Sequence, residues 1–339
     1  MAKESPNIYK IAELAGVSIG TVSRVMNGKD RVSPQTRSRI LEIAREHNFV
    51  PNAAARGLAT KKTHTLMMLV SDIANVYFSE MAKEISRASH ASGYKILLGD
   101  SDETVEREAD LLRTLSDRHV DGAIVAPLTT TANFPHYQDL IRAGFPLVLM
   151  DTELAGVKAP CVRVDNVEGA TLAVNYLAGE GHRKIAFLCG NINFQTNKLR
   201  YDGFCEAMKA NSLGLSNEYL VLNQDFLIQE GFCGVEELLD LSDPPTAIFA
   251  ASDLMAMACI QTVMRRGLRV PDDVAVVGFD DLKISAHMEI PLTTVAQPKN
   301  EIAHWAVKLL LQLVNEEGSH ADISGVKLVS PRLVVRDSA

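Results

Sequence analysis

Seven aspartates stand just past short apolar runs: Asp72, Asp100, Asp151, Asp165, Asp225, Asp253 and Asp280. An ionised carboxylate accepts two or more hydrogen bonds, so a ring of them facing one crevice suits a ligand rich in hydroxyl groups. Two other readings compete. An Asp after a strand can cap the following helix, which fits Asp165 and Asp253 at least as well. Carboxylates can also hold magnesium, but no glycine-rich phosphate loop accompanies these. Five cysteines (Cys161, Cys189, Cys205, Cys233, Cys259) lie at least 16 residues apart with no C-x-x-C pair, and the nine histidines show no metal-ligand spacing. No nucleophile–base pair stands out. This chemistry reads as binding, without metal or cofactor, rather than catalysis.

The apolar runs that would position the carboxylates read as strands over 66–71, 95–99, 122–126, 147–150, 161–164, 184–189, 220–223, 247–251 and 274–278. Stretches of helical period, such as 77–92 and 106–118, separate most of them. Strands alternating with helices mean parallel sheets covered by helices. Nine or more strands predict two doubly wound lobes rather than one sheet. In such sheets ligands bind beyond the carboxyl ends of the strands.

The first 50 residues read differently. Ile8, Ile11, Ala12, Leu14 and Ala15 share one face of a short helix. Gly16 can end it in the left-handed conformation, and Ser18 can cap the next. On that second helix Val22, Val25 and Met26 point inward, leaving Ile19, Gly20, Thr21, Ser23 and Arg24 outside. Ser33-Pro34 opens a third helix, striped by Ile40, Leu41, Ile43 and Ala44 and flanked by Arg37, Arg39 and Arg45. Small and polar residues outward on helix two, with basic residues nearby, suit entry into a DNA major groove. A three-helix bundle that binds another protein is the plainer alternative.

Charge supports the first reading. Residues 1–62 hold 11 Lys+Arg and 5 Asp+Glu, a net of +6, whereas the whole chain is −8 and the remainder therefore −14. A basic head on an acidic body implies that the head alone meets a polyanion. No apolar run reaches the ~18 residues of a membrane span, and the N-terminus is polar, without a secretory core. We therefore expect no membrane partner, buried reduced thiols and a cytoplasmic, nucleoid-associated protein.

The chain resembles the LacI/GalR family of bacterial transcription regulators. The resemblance is carried by Lys10-Ile-Ala-Glu-Leu-Ala-Gly-Val-Ser18, Thr21-Val-Ser-Arg-Val-Met-Asn27, Val32-Ser-Pro-Gln-Thr-Arg37 and Pro51-Asn-Ala-Ala-Ala-Arg-Gly-Leu58, and continues to the C-terminus. It implies an all-α helix-turn-helix head plus hinge helix, and an α/β body like the periplasmic sugar-binding fold, built of two doubly wound lobes. By it, Ile19, Gly20 and Arg24 occupy base-reading positions. Gly20 is a departure that shifts readout toward Ile19, Thr21 and Arg24. Ser18, Ser23, Asn27, Ser33 and Thr36, with Arg31, would meet the phosphate backbone. Residues 52–59, from Asn52, would form a hinge helix too short to be stable alone, placing Ala55 and Leu58 in the minor groove as a wedge. A flexible linker is the alternative there.

In the body the resemblance implies that Tyr77 and Phe78 stack on an effector and that Arg200 holds its hydroxyl or carboxylate groups. Thr196, Phe226, Ser252 and Asp280 match further pocket positions, with Asp100 and Asp151 as additions. Taken singly, Phe78 and Phe226 could be core aromatics. Local similarity runs to the ribose, cytidine and purine repressor group, but Phe194 stands where a purine pocket would want an arginine. We expect a pentose, hexose or nucleoside as effector, a palindromic operator bound by a homodimer, no tail-mediated tetramer, and most simply a repressor. A soluble sugar-binding protein or a cytosolic sugar or nucleoside enzyme are the rivals. The expected domains are 1–50 (helix-turn-helix), 51–63 (hinge and linker) and 64–339 (effector binding and dimerisation). Within the last, lobe one takes 64–164 and 293–324, and lobe two 165–292 and 325–339.

Overall fold

The computed structural model describes residues 7–26, 32–49, 62–117, 119–128, 133–224, 228–315 and 325–339. Two units form: Met1–Thr63 and His64–Ala339. In the first, helices α1 (Ile8–Ala15), α2 (Ile19–Met26) and α3 (Pro34–Glu46) close on a small core of Ile11, Ala12, Ala15, Val22, Val25 and Ile40. The local signals act as read. Gly16 ends α1 at φ 63° and the Ser33 hydroxyl accepts the Thr36 N–H ahead of Pro34; Asn7, which the sequence reading passed over, caps α1. Leu14 and Leu41, expected in the apolar stripes, are instead 36% and 46% exposed. Three short helices have room inside for only one narrow stripe each, and these two fall at its margin.

The second unit holds two six-stranded sheets. The first runs in the order β11-β5-β4-β3-β1-β2 and the second β12-β10-β9-β8-β6-β7. Sheet one comprises β1 (Thr65–Val70), β2 (Lys95–Asp100), β3 (Gly122–Val125), β4 (Leu147–Met150), β5 (Cys161–Val164) and β11 (Val326–Val329). All its pairings are parallel. Sheet two comprises β6 (Ile185–Gly190), β7 (Leu220–Gln224), β8 (Ala247–Ala250), β9 (Ala275–Asp280), β10 (Thr293–Ala296) and β12 (Arg332–Val334), the last antiparallel to β10. The buried strands are continuous apolar runs, as parallel strands covered on both faces must be. The edge strands are the exceptions: Leu97 and Leu98 on β2 and Leu328 on β11 are nearly half exposed, and Arg332 on β12 is exposed.

The covering helices are α4 (Val76–Ala91), α5 (Val105–Ser116), α6 (Phe134–Arg142), α7 (Asn166–Gly179), α8 (Gln195–Ala210), α9 (Ile228–Leu239), α10 (Asp253–Arg265) and α11 (Lys299–Asn315). One continuous apolar cluster runs through both lobes, from Leu66 and Met68 to Phe187, Phe204, Phe249 and Phe279. Phe187 stacks on Phe204 with centroids 4.8 Å apart.

The lobe boundaries need correction. Strand β10 pairs with β9 in sheet two, so lobe two continues past 293 to about 296. Strand β11 pairs with β5 in sheet one, so lobe one continues to about 329, and lobe two resumes only with β12. The chain thus passes between lobes at 164–165, 296–299 and 329–332. Hydrophobic pattern identifies a strand but not the sheet that accepts it, and β10 and β11 are short enough to pair with either.

Candidate functional site

Two candidate sites arise, one in each unit. In the head, α2 presents one face outward because Val22 and Val25 are turned into the core. Ile19 is 41% exposed, Gly20 and Arg24 are exposed, and Thr21 and Ser23 are half-buried. The Ser18 hydroxyl oxygen accepts the Thr21 N–H at 3.2 Å and lies 3.0 Å from the Thr21 hydroxyl, fixing the start of the helix. Ser33 and Thr36 repeat that pattern at the start of α3, with hydroxyls 2.8 Å apart. A Cβ at Gly20 would meet nothing closer than the Ser18 hydroxyl at 3.8 Å. Packing therefore does not demand this glycine, although it costs a helix roughly 1 kcal/mol relative to Ala. Asn27, Arg31, Asn52, Ala55 and Leu58 lie outside the described residues.

In the body, a cleft opens at the carboxyl ends of both sheets, beside the points where strand order reverses: between β1 and β3 in one lobe and β6 and β8 in the other. Lobe one contributes Tyr77 and Phe78 from the first turn of α4, the 126–128 segment after β3, and Asp151 after β4. Lobe two contributes Phe194 and Thr196 at the start of α8, Arg200 one turn on, Ser252 after β8, Asp280 at the end of β9 and Gln297 after β10. The cleft thus gathers Tyr77, Phe78, Asp151, Thr196, Arg200, Ser252 and Asp280, all expected from the sequence. Phe226 lies outside the described residues. Asp100 is not among the lining residues. Its carboxylate accepts the N–H of Asp102 at 3.1 Å, as Asp72 does for Ala74 at 2.7 Å, and both serve local turns.

Of the remaining aspartates, Asp225 lies outside the described residues, and the other two divide as their surroundings dictate. Asp165 caps α7 by accepting the Glu168 N–H. Asp253 is fully buried and accepts the Ser285 and Thr294 hydroxyls and the Leu282 N–H. Burial, with Asp280 nearby, pushes its carboxyl up to about 7. It ties α10 to the chain after β9 and does not line the cleft.

Arg200 is the hub. Its guanidinium lies over the Phe279 ring at 3.8 Å. It donates from Nε to Asn166 Oδ1 at 2.8 Å and from Nη1 to the Ala251 carbonyl at 2.5 Å, and Nη2 stands 3.9 Å from Asp280 Oδ1. Arg200 and Asp280 are only 5% and 6% exposed. Burial raises the Asp280 carboxyl, while Arg200, the Gln297 amide and Lys299 pull it back. Gln297 links the lobes: its Nε2 donates to Asp280 at 2.7 Å and its Oε1 accepts the Tyr77 hydroxyl at 3.1 Å. Burial raises the Tyr77 phenol well above its usual value, Asp151 and Asp280 adding to the effect, so it stays a neutral donor. Asp151 is pushed up to about 6, chiefly by burial. The backbones of Asp151 and Asp280 hold φ at 69° and 122°, conformations costing of order 1–3 kcal/mol for residues with a Cβ. Surrounding bonds must hold them there; Lys299 Nζ, for example, donates to the carbonyls of Asp280 and Asp281.

Sequence reasoning missed Gln297 and Asn166 and gave Phe194 only as a departure. Gln297 offered one usable signal, its place just before Pro298, where the chain must leave β10. The arrangement can bind hydrogen-bond donors and a ring. Among the described residues no group of three or more metal-ligating side chains converges, and no helix is long and apolar enough to cross a membrane.

Known proteins share both parts. Residues 7–52 match the model for bacterial regulatory proteins of the lacI family, and residues 174–339 match the periplasmic binding protein-like domain. Catabolite control protein A of Priestia megaterium is 35% identical over 311 residues, covering 91% of this chain and 93% of that protein. The HTH-type transcriptional repressor CytR of Escherichia coli K12 is 32% identical over 332 residues, covering 97% and 94%. The crystal structure of the Lac repressor dimer bound to operator and the anti-inducer ONPF matches with a TM-score of 0.88 and 27% identity, covering 99% of each chain.

Proposed function

Given that the chain belongs to the LacI family of bacterial regulatory proteins, DNA-binding transcription regulators rather than enzymes, we propose that it represses a sugar or nucleoside utilisation operon under control of a small effector. The head reads a palindromic operator, two copies matching the two half-sites. Ile19, Thr21 and Arg24 face bases, and Ser18, Ser23, Asn27, Arg31, Ser33 and Thr36 face phosphates. Asn52, Ala55 and Leu58 belong to a hinge segment that enters the minor groove. The effector is a pentose, hexose or nucleoside held by Tyr77, Phe78, Asp151, Thr196, Arg200, Ser252 and Asp280, and Phe226 remains a proposed member of that site. Leu97 and Leu98 on edge strand β2 are apolar surface of the kind a second copy covers. The protein acts in the cytoplasm, at the nucleoid.

One observation carries this reading. The polar hub of the cleft, Arg200, Asp280, Gln297 and Tyr77, spans both lobes, so a ligand seated there bears on their relative arrangement. Operator titrations test the DNA half. Arg24→Ala should weaken binding to a selected operator by about 1–3 kcal/mol more than binding to random DNA. Equal loss on both would show that Arg24 meets phosphate only.

A further inference from the structure

Among the described residues that line the cleft, the carboxyl and guanidinium side chains are those of Glu103, Asp151, Asp280 and Arg200. Three are acidic and one is basic. The basic one is partly engaged: Nε donates to Asn166 and Nη1 to the Ala251 carbonyl, the Phe279 ring lies beneath, and Nη2 stands 3.9 Å from Asp280, whose carboxylate offsets its charge. A phosphate needs donors whose charge is free to meet it, and one that reached Arg200 Nη2 would also meet the Asp280 carboxylate that faces it. Asp151 lies in the opposite wall and its carboxylate makes no hydrogen bond to a described residue. Glu103 is exposed nearer the solvent. Helices α4, α8 and α10 all begin at the cleft, but Asn75 and Ser252 cap α4 and α10, which leaves the N-terminus of α8, without a side-chain cap, as the main feature that favours an anion. It carries only about half a unit of positive charge, against a full unit on each carboxylate.

We infer that the cleft selects an uncharged effector and rejects its phosphorylated form, with Asp151 as the main discriminating residue. Phosphorylation of the effector would then end recognition, so a phosphotransfer reaction that consumes the effector also terminates the signal. This rests on the proposed effector reading and adds to it the charge of the ligand.

Titration calorimetry on the full chain at pH 7.5 tests it, with three pairs: ribose and ribose 5-phosphate, glucose and glucose 6-phosphate, cytidine and cytidine 5′-monophosphate. In whichever pair binds, the phosphorylated member should be weaker by at least about a hundredfold, the order expected for each unit of phosphate charge about 6 Å from a carboxylate at an effective dielectric near 20. Asp151→Asn should remove most of that ratio, and Glu103→Gln less of it. Equal or tighter binding of a phosphorylated member overturns the inference and leaves the effector reading standing. A ratio unmoved in both variants overturns the electrostatic cause. Binding by none of the neutral members overturns the effector reading itself, and the inference with it.

Discussion

Replacing Arg200 with Leu removes one cation but leaves Asp280, Asn166 Oδ1 and the Ala251 carbonyl behind in buried positions. A buried carboxylate stripped of its partner costs about 3–5 kcal/mol. Arg200→Leu should therefore lower unfolding stability by about that amount, read by denaturant titration, as well as abolish effector binding. A variant of unchanged stability would show that the Arg200 network contributes only to binding. Asp151 makes the opposite prediction. Its folded carboxyl, near 6, lies above the ordinary 3.8, so the native state binds the proton more tightly than the unfolded chain does. The stability linked to that proton is complete below about pH 4 and is lost as pH rises through 6. At 1.36 kcal/mol per unit, discounted for partial exposure, the loss is roughly 2 kcal/mol. Asp151→Asn lacks this loss, so its stability relative to the parent chain should rise between pH 4 and 7. A pH-independent difference between the two would remove the buried-carboxylate account of Asp151.

Helices α7 and α8 position this chemistry, since α7 begins with Asn166 and α8 carries Thr196 and Arg200. They approach backbone to backbone at Gly203, where a Cβ would stand 2.6 Å from the Val167 carbonyl oxygen and 2.9 Å from its Cα. The neighbour there is main chain and has no rotamer to yield. Gly203→Ala should cost about 1–3 kcal/mol through overpacking and weaken effector binding by moving Asn166 away from Arg200. Undiminished effector affinity in a folded Gly203→Ala protein would argue that this helix pair does not set the cleft. Much at this scale was legible beforehand. The caps at Gly16 and Ser33, the strands β1 to β9 to within about two residues, and the strand-end placement of Asp151 and Asp280 follow from local pattern and chain direction. What was not legible depends on pairing and crossing. Strands β10 and β11 are only four residues each, and nothing local assigns them to a sheet. Gln297 reaches the cleft only because the chain crosses between lobes there. Asp100 ends one strand and Asp151 follows another, yet only Asp151 lines the cleft.

For the whole molecule, the charge split sets how the parts meet their partners. A head of net +6 on a body of −14 should make operator affinity fall steeply with salt, as counterions are released, while effector affinity in a cleft with a largely internal ion pair should respond far less. Coupling between the two sites is a free energy, and it exists only if effector binding changes DNA affinity. The most direct measurement is therefore fluorescence anisotropy with an operator selected from random palindromes, titrated with and without the tightest-binding neutral sugar or nucleoside. The account predicts that the ligand shifts operator affinity about tenfold or more, in either direction. It also predicts that Asp280→Ala needs at least about ten times more ligand for half the effect, having lost hydrogen bonds worth roughly 1.5–3 kcal/mol each. An operator affinity unmoved by a ligand that calorimetry shows to be bound in the cleft would contradict it.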